Sequence, residues 1–122
     1  MRRSVSTVFV AIALAIGLAS CSTADKEPTV EVTSETVVID VRTPEEFASG
    51  HLNGAQLLDF NAGEVAAAIP SLDPEAEYLV YCRSGNRAGQ AIALMESAGF
   101  TDVTNLGSLE EAAAATGIVV VR

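Results

Sequence analysis

Positive charge and long apolar segments are both scarce in this sequence. Lysine and arginine together number 7, against 16 aspartates and glutamates. From Cys21 onward, five basic residues accompany all 16 acidic ones, which gives a net charge of −11. A surface this acidic repels phosphate groups, so nucleic acid is excluded as an expected partner. The longest apolar run, Val8–Leu18, has 11 residues, fewer than the roughly 20 that span a bilayer, which disfavours a transmembrane helix.

Residues 1–20 have the layout of a secretory signal peptide. Arg2 and Arg3 form a short basic start, the apolar run follows, and the small residues Ala19 and Ser20 end it. Such a signal predicts export from the cytoplasm.

The segment Leu18–Cys21, with the sequence LASC, resembles the lipobox of bacterial lipoproteins. The resemblance implies that the leader is cut before Cys21 and that this cysteine carries a lipid, which anchors the protein at the extracytoplasmic face of the cell membrane. Ordinary signal cleavage beside an incidental cysteine is the alternative. Residues 21–29 are polar and without an apolar period, which predicts a flexible tether. If Cys21 is lipidated, Cys82 has no disulfide partner and is a candidate reactive thiol.

Residues 30–122 are the expected folded domain. Apolar, often β-branched segments alternate with helical ones, which predicts an α/β fold with a central, mostly parallel sheet of about five strands flanked by helices. The predicted strands cover residues 30–32, 36–41, 55–60, 78–81, 102–106 and 118–121. The predicted helices cover residues 44–49, 61–69, 88–98 and 109–115. Capping boxes at Thr43–Glu46 and Ser108–Glu111 mark the starts of the first and last helices.

A six-residue loop, CRSGNR at residues 82–87, joins a predicted strand to a predicted helix. Ligands of open parallel sheets bind at this kind of junction. Gly85 and Asn86 tolerate positive φ, so the loop can curl and direct backbone N–H groups at one point, where the helix dipole adds positive potential. We expect an anionic sulfur of Cys82 there, beside Arg83 and Arg87. A small buried structural cysteine, with arginines that only balance nearby acids, is the alternative.

The CRSGNR loop resembles the active-site loop of single-domain rhodanese-like sulfurtransferases. Residues 38–47 (VIDVRTPEEF) and 50–55 (GHLNGA) resemble two further signatures of that family. With Gly99-Phe100, Val103 and residues 105–107, the similarity extends over residues 30–122. It implies a rhodanese-like fold and an enzyme that needs no cofactor. Such an enzyme takes sulfur from thiosulfate or a persulfide, holds it as a persulfide on the loop cysteine, and passes it to a thiol or to cyanide.

Carried over by position, the resemblance makes Cys82 the nucleophile and implies that the backbone amides of the loop surround its sulfur. The substrate-binding residues are then Arg83, Ser84, Gly85, Asn86 and Arg87. The two arginines would attract an anionic donor or maintain the shape of the loop. Asp40 and Arg42 would support the site through internal ion pairing, and His51 would be structural.

The sequence departs from the family pattern outside this loop. Asn53 stands where relatives often have proline, and Ser108 replaces the second glycine of a usual pair. The tryptophan that often follows a few residues later is absent. These changes concern the pocket for the sulfur acceptor.

Two other functions compete with sulfur transfer. A phosphatase or arsenate reductase of the same fold needs Cys-x5-Arg, whereas Arg87 is the fifth residue after Cys82 and leaves a loop better suited to one sulfur atom. A non-catalytic rhodanese-like binding or sulfur-carrier module is the second alternative, although such modules usually lack the cysteine. One histidine and one available cysteine cannot supply four zinc ligands, so no metal is expected. The domain is expected to be a monomer.

Overall fold

Four parallel strands make the main sheet of the protein, of which the computed structural model describes residues 28–122. From one edge to the other they are β3 (Gln56–Leu57), β1 (Val37–Asp40), β4 (Tyr78–Tyr81) and β5 (Val103–Gly107). A separate antiparallel pair joins β2 (His51–Leu52) to β6 (Val120–Val121).

Both faces of the main sheet are buried. On β4, Tyr78 and Val80 pack in one hydrophobic cluster, while Leu79 and Tyr81 pack in another on the opposite face. A strand covered on both sides is apolar without interruption, as in this segment, because neither set of alternating side chains faces water.

Within the described residues, four α-helices flank the strands. They are α1 (Pro44–Ser49), α2 (Glu64–Ala68), α3 (Asn86–Ser97) and α4 (Leu109–Thr116), with a short 3-10 helix at Ile69–Ser71 after α2. Helices α2 and α3 contribute to the first cluster and α4 to the second. The longest of them, α3, has 12 residues, and within residues 28–122 no helix is long and apolar enough to cross a membrane.

Both predicted capping boxes are confirmed. The Thr43 hydroxyl accepts from the backbone N–H of Glu46, whose carboxylate accepts from the N–H of Thr43, both at 3.3 Å. The same reciprocal pair joins Ser108 and Glu111, at 3.1 and 3.3 Å. Each box satisfies backbone donors that the first turn of a helix leaves unpaired.

The predicted edges of the sheet are wrong. Residues 30–32 do not form a strand; the backbone N–H of Val30 instead donates to Ala115 in α4 at 2.9 Å. The strand predicted over residues 55–60 is reduced to β3, and the last one pairs with β2 outside the main sheet. The main sheet therefore has four strands rather than about five. A short apolar segment predicts burial. Whether it becomes a strand of the main sheet also depends on a neighbouring strand with free backbone groups, which its own sequence does not show.

Candidate functional site

Cys82 lies at the carboxyl edge of the sheet, directly after β4. Its backbone N–H donates to the carbonyl of Gly107 at the end of β5, at 2.9 Å. Its sulfur accepts a hydrogen bond from the backbone N–H of Gly85, at 2.9 Å. The cysteine loop (residues 82–87) thus turns back on the thiol, and Gly85 is the residue that immediately precedes α3.

The side chain of Asn105 completes a ring of hydrogen bonds around the sulfur. Its Nδ2 donates to the carbonyl of Gly85 at 3.0 Å, and its Oδ1 accepts from the N–H of Gly107 at 2.9 Å. Gly85 also donates to the Cys82 sulfur, and Cys82 donates to Gly107. Four hydrogen bonds therefore join two short segments, residues 82–85 and 105–107, into one closed ring, which fixes the position of the Gly85 N–H relative to the thiol.

Gly85 could not be replaced in this ring without strain. Its φ is +92°, a left-handed conformation that side-chain-bearing residues rarely adopt. A Cβ atom there would lie 3.3 Å from the Cα of Gly107. Both the conformation and the close approach of the two segments require glycine.

Arg87, at the first turn of α3, forms an ion pair with Glu46 of α1. The two Nη atoms lie 2.8 and 3.1 Å from the two carboxylate oxygens, a bidentate arrangement. The hydrogen bond from Arg87 lowers the pKa of Glu46 to about 2 and raises the pKa of the guanidinium itself. The pair joins the start of the loop's helix to the segment after β1, 41 residues away in sequence.

A second ion pair, Asp40 with Arg42, is buried beside the loop. Arg42 Nη2 lies 2.7 Å from Asp40 Oδ2 and also donates to the carbonyl of Gly50. The guanidinium lies over the ring of Tyr81, 5.5 Å from its centroid. The Tyr81 hydroxyl accepts from the N–H of Leu52, and burial raises the pKa of that phenol. This network supports the segments that flank the cysteine without contacting the sulfur.

The remaining predicted residues are more exposed. Arg83, Ser84 and Asn86 are all exposed on the outer side of the loop, and Asn86 accepts a hydrogen bond from Gln90 one turn along α3. His51 stacks on Phe47, with ring centroids 3.6 Å apart, and its Nδ1 lies 2.8 Å from the Phe47 carbonyl. The imidazole is therefore held in the packing of α1 and β2.

Cys82 itself has no exposed surface (0%). A donor can reach the sulfur only after the side chains or the loop around it shift. The loop is held by hydrogen bonds on its inner side, whereas Arg83, Ser84 and Asn86 on its outer side are open to solvent.

A cleft of about 480 Å³ adjoins the loop at Arg83. We call it the arginine cleft. It is lined by Arg42, Glu46, Ser49, Gly50, Arg83, Leu109, Glu110, Val120 and Arg122. Three of the four arginines in residues 28–122 line this cleft, and the fourth, Arg87, pairs with one of its lining residues.

Sequence reasoning missed two residues of this site. The capping pattern at Thr43–Glu46 explained Glu46 locally, and nothing in the sequence indicates its contact with Arg87. Asn105 stood out only as part of a family-like segment, with no role attached. Both residues contact the loop or its helix from a distant part of the sequence. The only indication in the sequence was their position: Glu46 follows β1, and Asn105 lies near the end of β5. The carboxyl ends of both strands lie at the same edge of the sheet as the loop.

The fold and the site together define the class of this protein. A family model, the rhodanese-like domain, matches residues 26–115. The chain belongs to the rhodanese-like family.

Two similar proteins are named thiosulfate sulfurtransferases. The chain is 43% identical over 67 residues to thiosulfate sulfurtransferase GlpE of Pseudomonas putida. The matched segment covers 55% of this chain and 59% of the length of that relative. It is 35% identical over 77 residues to thiosulfate sulfurtransferase PspE of Escherichia coli, covering 62% and 72%. A solved structure described as a rhodanese with anions from E. coli superposes with a TM-score of 0.60 at 30% identity, over 71% of this chain and 98% of that one.

Proposed function

We propose that the protein is a sulfurtransferase that carries sulfane sulfur on Cys82, from a donor such as thiosulfate to a thiophilic acceptor. The observation behind the proposal is the hydrogen bond from the Gly85 N–H to the Cys82 sulfur, with 2.9 Å between nitrogen and sulfur. A closed ring of hydrogen bonds holds that N–H in place. A fixed N–H stabilises a negative charge that forms on that sulfur. The names of the relatives support the same chemistry.

Two displacements complete the proposed cycle. The Cys82 thiolate attacks the outer sulfur of thiosulfate, the S–S bond of the donor breaks, and sulfite leaves with the electron pair. Cys82 is left as a persulfide anion. An acceptor thiolate then attacks the terminal sulfur of this persulfide. The S–S bond of the Cys82 persulfide breaks, the acceptor departs as a persulfide, and the Cys82 thiolate is regenerated. No oxidant or reductant is consumed, because each step forms one S–S bond and breaks another.

The surrounding charges fit an anionic donor. The residues from 28 to 122 contain four arginines and no lysine, and all four lie beside the cysteine loop or the arginine cleft. Arg42 and Arg87 are paired with carboxylates. Arg83 is exposed next to the nucleophile, so it is the loop residue that we expect to attract thiosulfate.

A non-catalytic binding module is the second candidate, because the Cys82 thiol is fully covered. A sulfur that stayed covered would neither accept nor release a sulfur atom. A test of the first half-reaction decides between the two functions.

The experiment is intact-mass analysis after incubation with thiosulfate alone, followed by steady-state kinetics with a thiol or cyanide as acceptor. Sulfur transfer predicts a mass gain of one sulfur atom and parallel double-reciprocal plots, since sulfite must leave before the acceptor reacts. The added mass should disappear when the acceptor is supplied. Absence of any mass gain with thiosulfate and with low-molecular-weight persulfides would refute the proposal and favour the binding module.

We further propose that the protein is exported and anchored to the outer face of the cell membrane through a lipid on Cys21. Residues 1–27, which carry this prediction, lie outside the described part of the structure. Stable anchoring needs more than one acyl chain. Cys21→Ser should move the protein from the membrane to the soluble fraction when cells are fractionated. A variant that stays as firmly membrane-bound as the parent would rule the anchor out.

A further inference from the structure

The arginine cleft has two arginines and one glutamate whose charges are not neutralised within it. Arg42 is paired with Asp40, and the lining residue Glu46 is paired with Arg87. In the part of the chain that the structure describes, no ion pair involves Arg83, Arg122 or Glu110. The cleft therefore offers two positive groups and one negative group to a ligand.

Arg122 is oriented by the fold. Strand β6 pairs with β2, with Val120 opposite Leu52, so the residues just before Arg122 are fixed at the rim of the cleft. Its Nε donates to the carbonyl of Ser49 at 3.2 Å. Within residues 28–122 its two Nη atoms have no hydrogen-bond partner. A guanidinium with both Nη groups unused presents the geometry that binds a carboxylate in bidentate fashion.

Glu110 supplies the opposite charge. It is an exposed residue in the first turn of α4 and lines the same cleft. A carboxylate in this place attracts an ammonium group, while it repels a second anion. A ligand with a carboxylate and an amino group, as in an amino acid, satisfies both ends. The volume of about 480 Å³ suits a small molecule of this kind.

We propose that the arginine cleft binds the sulfur acceptor, and that this acceptor is a thiol with amino-acid-like charges, its carboxylate on Arg122 and its ammonium near Glu110. The inference rests on the proposed sulfur transfer at Cys82. Arg83 lines the cleft and is the residue after Cys82, so a ligand held there lies next to the cysteine loop, and its thiol reaches the buried Cys82 sulfur once the outer side of the loop shifts. Arg122 is thus a specificity-determining residue that acts on the second half-reaction.

Three thiols of the form HS–CH2–CH2–X separate the charges: 3-mercaptopropionate, 2-mercaptoethanol and cysteamine. Cysteine carries both groups. Each thiol is compared with itself across variants, so that intrinsic reactivity cancels. Arg122→Gln should lower kcat/KM about tenfold for 3-mercaptopropionate and for cysteine, because both lose one charge-assisted contact of their carboxylate. The same substitution should lower kcat/KM far less for 2-mercaptoethanol, which has no carboxylate. Glu110→Gln should lower it for cysteamine and for cysteine.

Thr101→Glu is the matched control, because it changes the net charge by the same amount as Arg122→Gln at an exposed residue outside the cleft. It should affect the charged thiols no more than about twofold. If Arg122→Gln changes all four thiols equally, or no more than Thr101→Glu does, the inference is wrong.

Binding can also be measured without turnover. Titration with 3-(methylthio)propionate, which has no free thiol, should shift the NMR signals of the Arg122 Nε–Hε group in the parent. If no persulfide forms on Cys82, the proposed function fails, and this titration still tests the cleft. An unshifted Arg122 signal would overturn the assignment of the carboxylate site.

Discussion

The two ends of the main sheet carry different charged side chains. At the carboxyl end of the strands, the cysteine loop and the arginine cleft gather every arginine of residues 28–122. At the amino end, a depression of about 530 Å³ has an acidic lining. Its lining residues are Thr33, Glu35, Thr36, Asp73, Glu75, Ala76, Glu77 and Asp102. At the carboxyl end the arginine side chains add to the positive end of the α3 dipole and to the Gly85 N–H, which also favour anions there.

This segregation of charge explains how so acidic a chain can use an anionic sulfur donor. The domain as a whole repels thiosulfate, and the few cations would have little effect if they were scattered over the surface. Two of them are paired with carboxylates and fix the segments around the thiol, which leaves Arg83 and Arg122 for ligands. The acidic end supplies a control variant, at Glu75, for the experiment on Arg83.

The largest effect is expected from the nucleophile. Cys82→Ser should abolish sulfur transfer and the mass gain with thiosulfate, because a serine hydroxyl neither ionises near neutral pH nor forms a persulfide. The swap is nearly isosteric, so the circular-dichroism spectrum should stay that of the parent. Parental turnover in this variant would end the proposed mechanism.

The next largest effect is expected at Gly85. Gly85→Ala places a side chain at φ +92° and 3.3 Å from the Gly107 Cα, which should cost about 1–2 kcal/mol of unfolding free energy for the conformation alone. It should also displace the N–H that donates to the Cys82 sulfur and lower turnover. Urea denaturation and the transfer assay measure the two effects.

Gly89→Ala is the matched control within α3. Its new Cβ would lie 3.6 Å from the Asn105 Nδ2, an ordinary contact, and alanine in a helix is favoured over glycine by about 1 kcal/mol. We expect this variant to be at least as stable as the parent. Equal destabilisation by both substitutions would show that the strain assigned to Gly85 does not exist.

The sequence predicted those parts of the site that depend on neighbouring residues. Local patterns sufficed for β4, the two capping boxes and the turn at Gly85, because propensities and side-chain chemistry within a few residues determine them. They did not predict that Asn105 would close the hydrogen-bond ring, since that depends on the register of β5 against β4, which shifts between Val80 and Tyr81. The contact of Arg87 with Glu46 was missed because it joins α3 to α1 across 41 residues of sequence, which no local pattern records.

A smaller effect, on substrate use rather than on folding, is expected from Arg83. Arg83→Ala should raise the Michaelis constant for thiosulfate about tenfold, the loss of one charge-assisted contact. The side chain is exposed, so the melting temperature should change little. Glu75→Ala, the removal of an exposed charged side chain at the acidic end, should leave both quantities near the parent's. A Michaelis constant that is unchanged in Arg83→Ala, together with a large fall in melting temperature, would make the arginine structural instead.

The smallest effect, and the one with a pH signature, is expected from Glu46. Glu46→Gln removes the ion pair with Arg87, which is partly exposed, and should lower the unfolding free energy by about 1 kcal/mol near neutral pH. The pKa of Glu46 is about 2 in the folded protein, against 4.5 for an ordinary glutamate. Between these values the unfolded chain binds the proton and the folded one does not, so the contribution of the pair is present above pH 4.5 and is lost as the pH falls toward 2.

The stability difference between the parent and Glu46→Gln should therefore shrink as the pH is lowered through this window. Chemical denaturation at a series of pH values from 7 to 2 measures it. Glu45→Gln, the neighbouring exposed acid in the same turn of α1, should follow the parent closely over the whole range. If the two variants show the same pH dependence, the ion pair between α1 and α3 contributes nothing to stability, and the position of the loop's helix depends on its core packing and on the hydrogen-bond ring around Cys82.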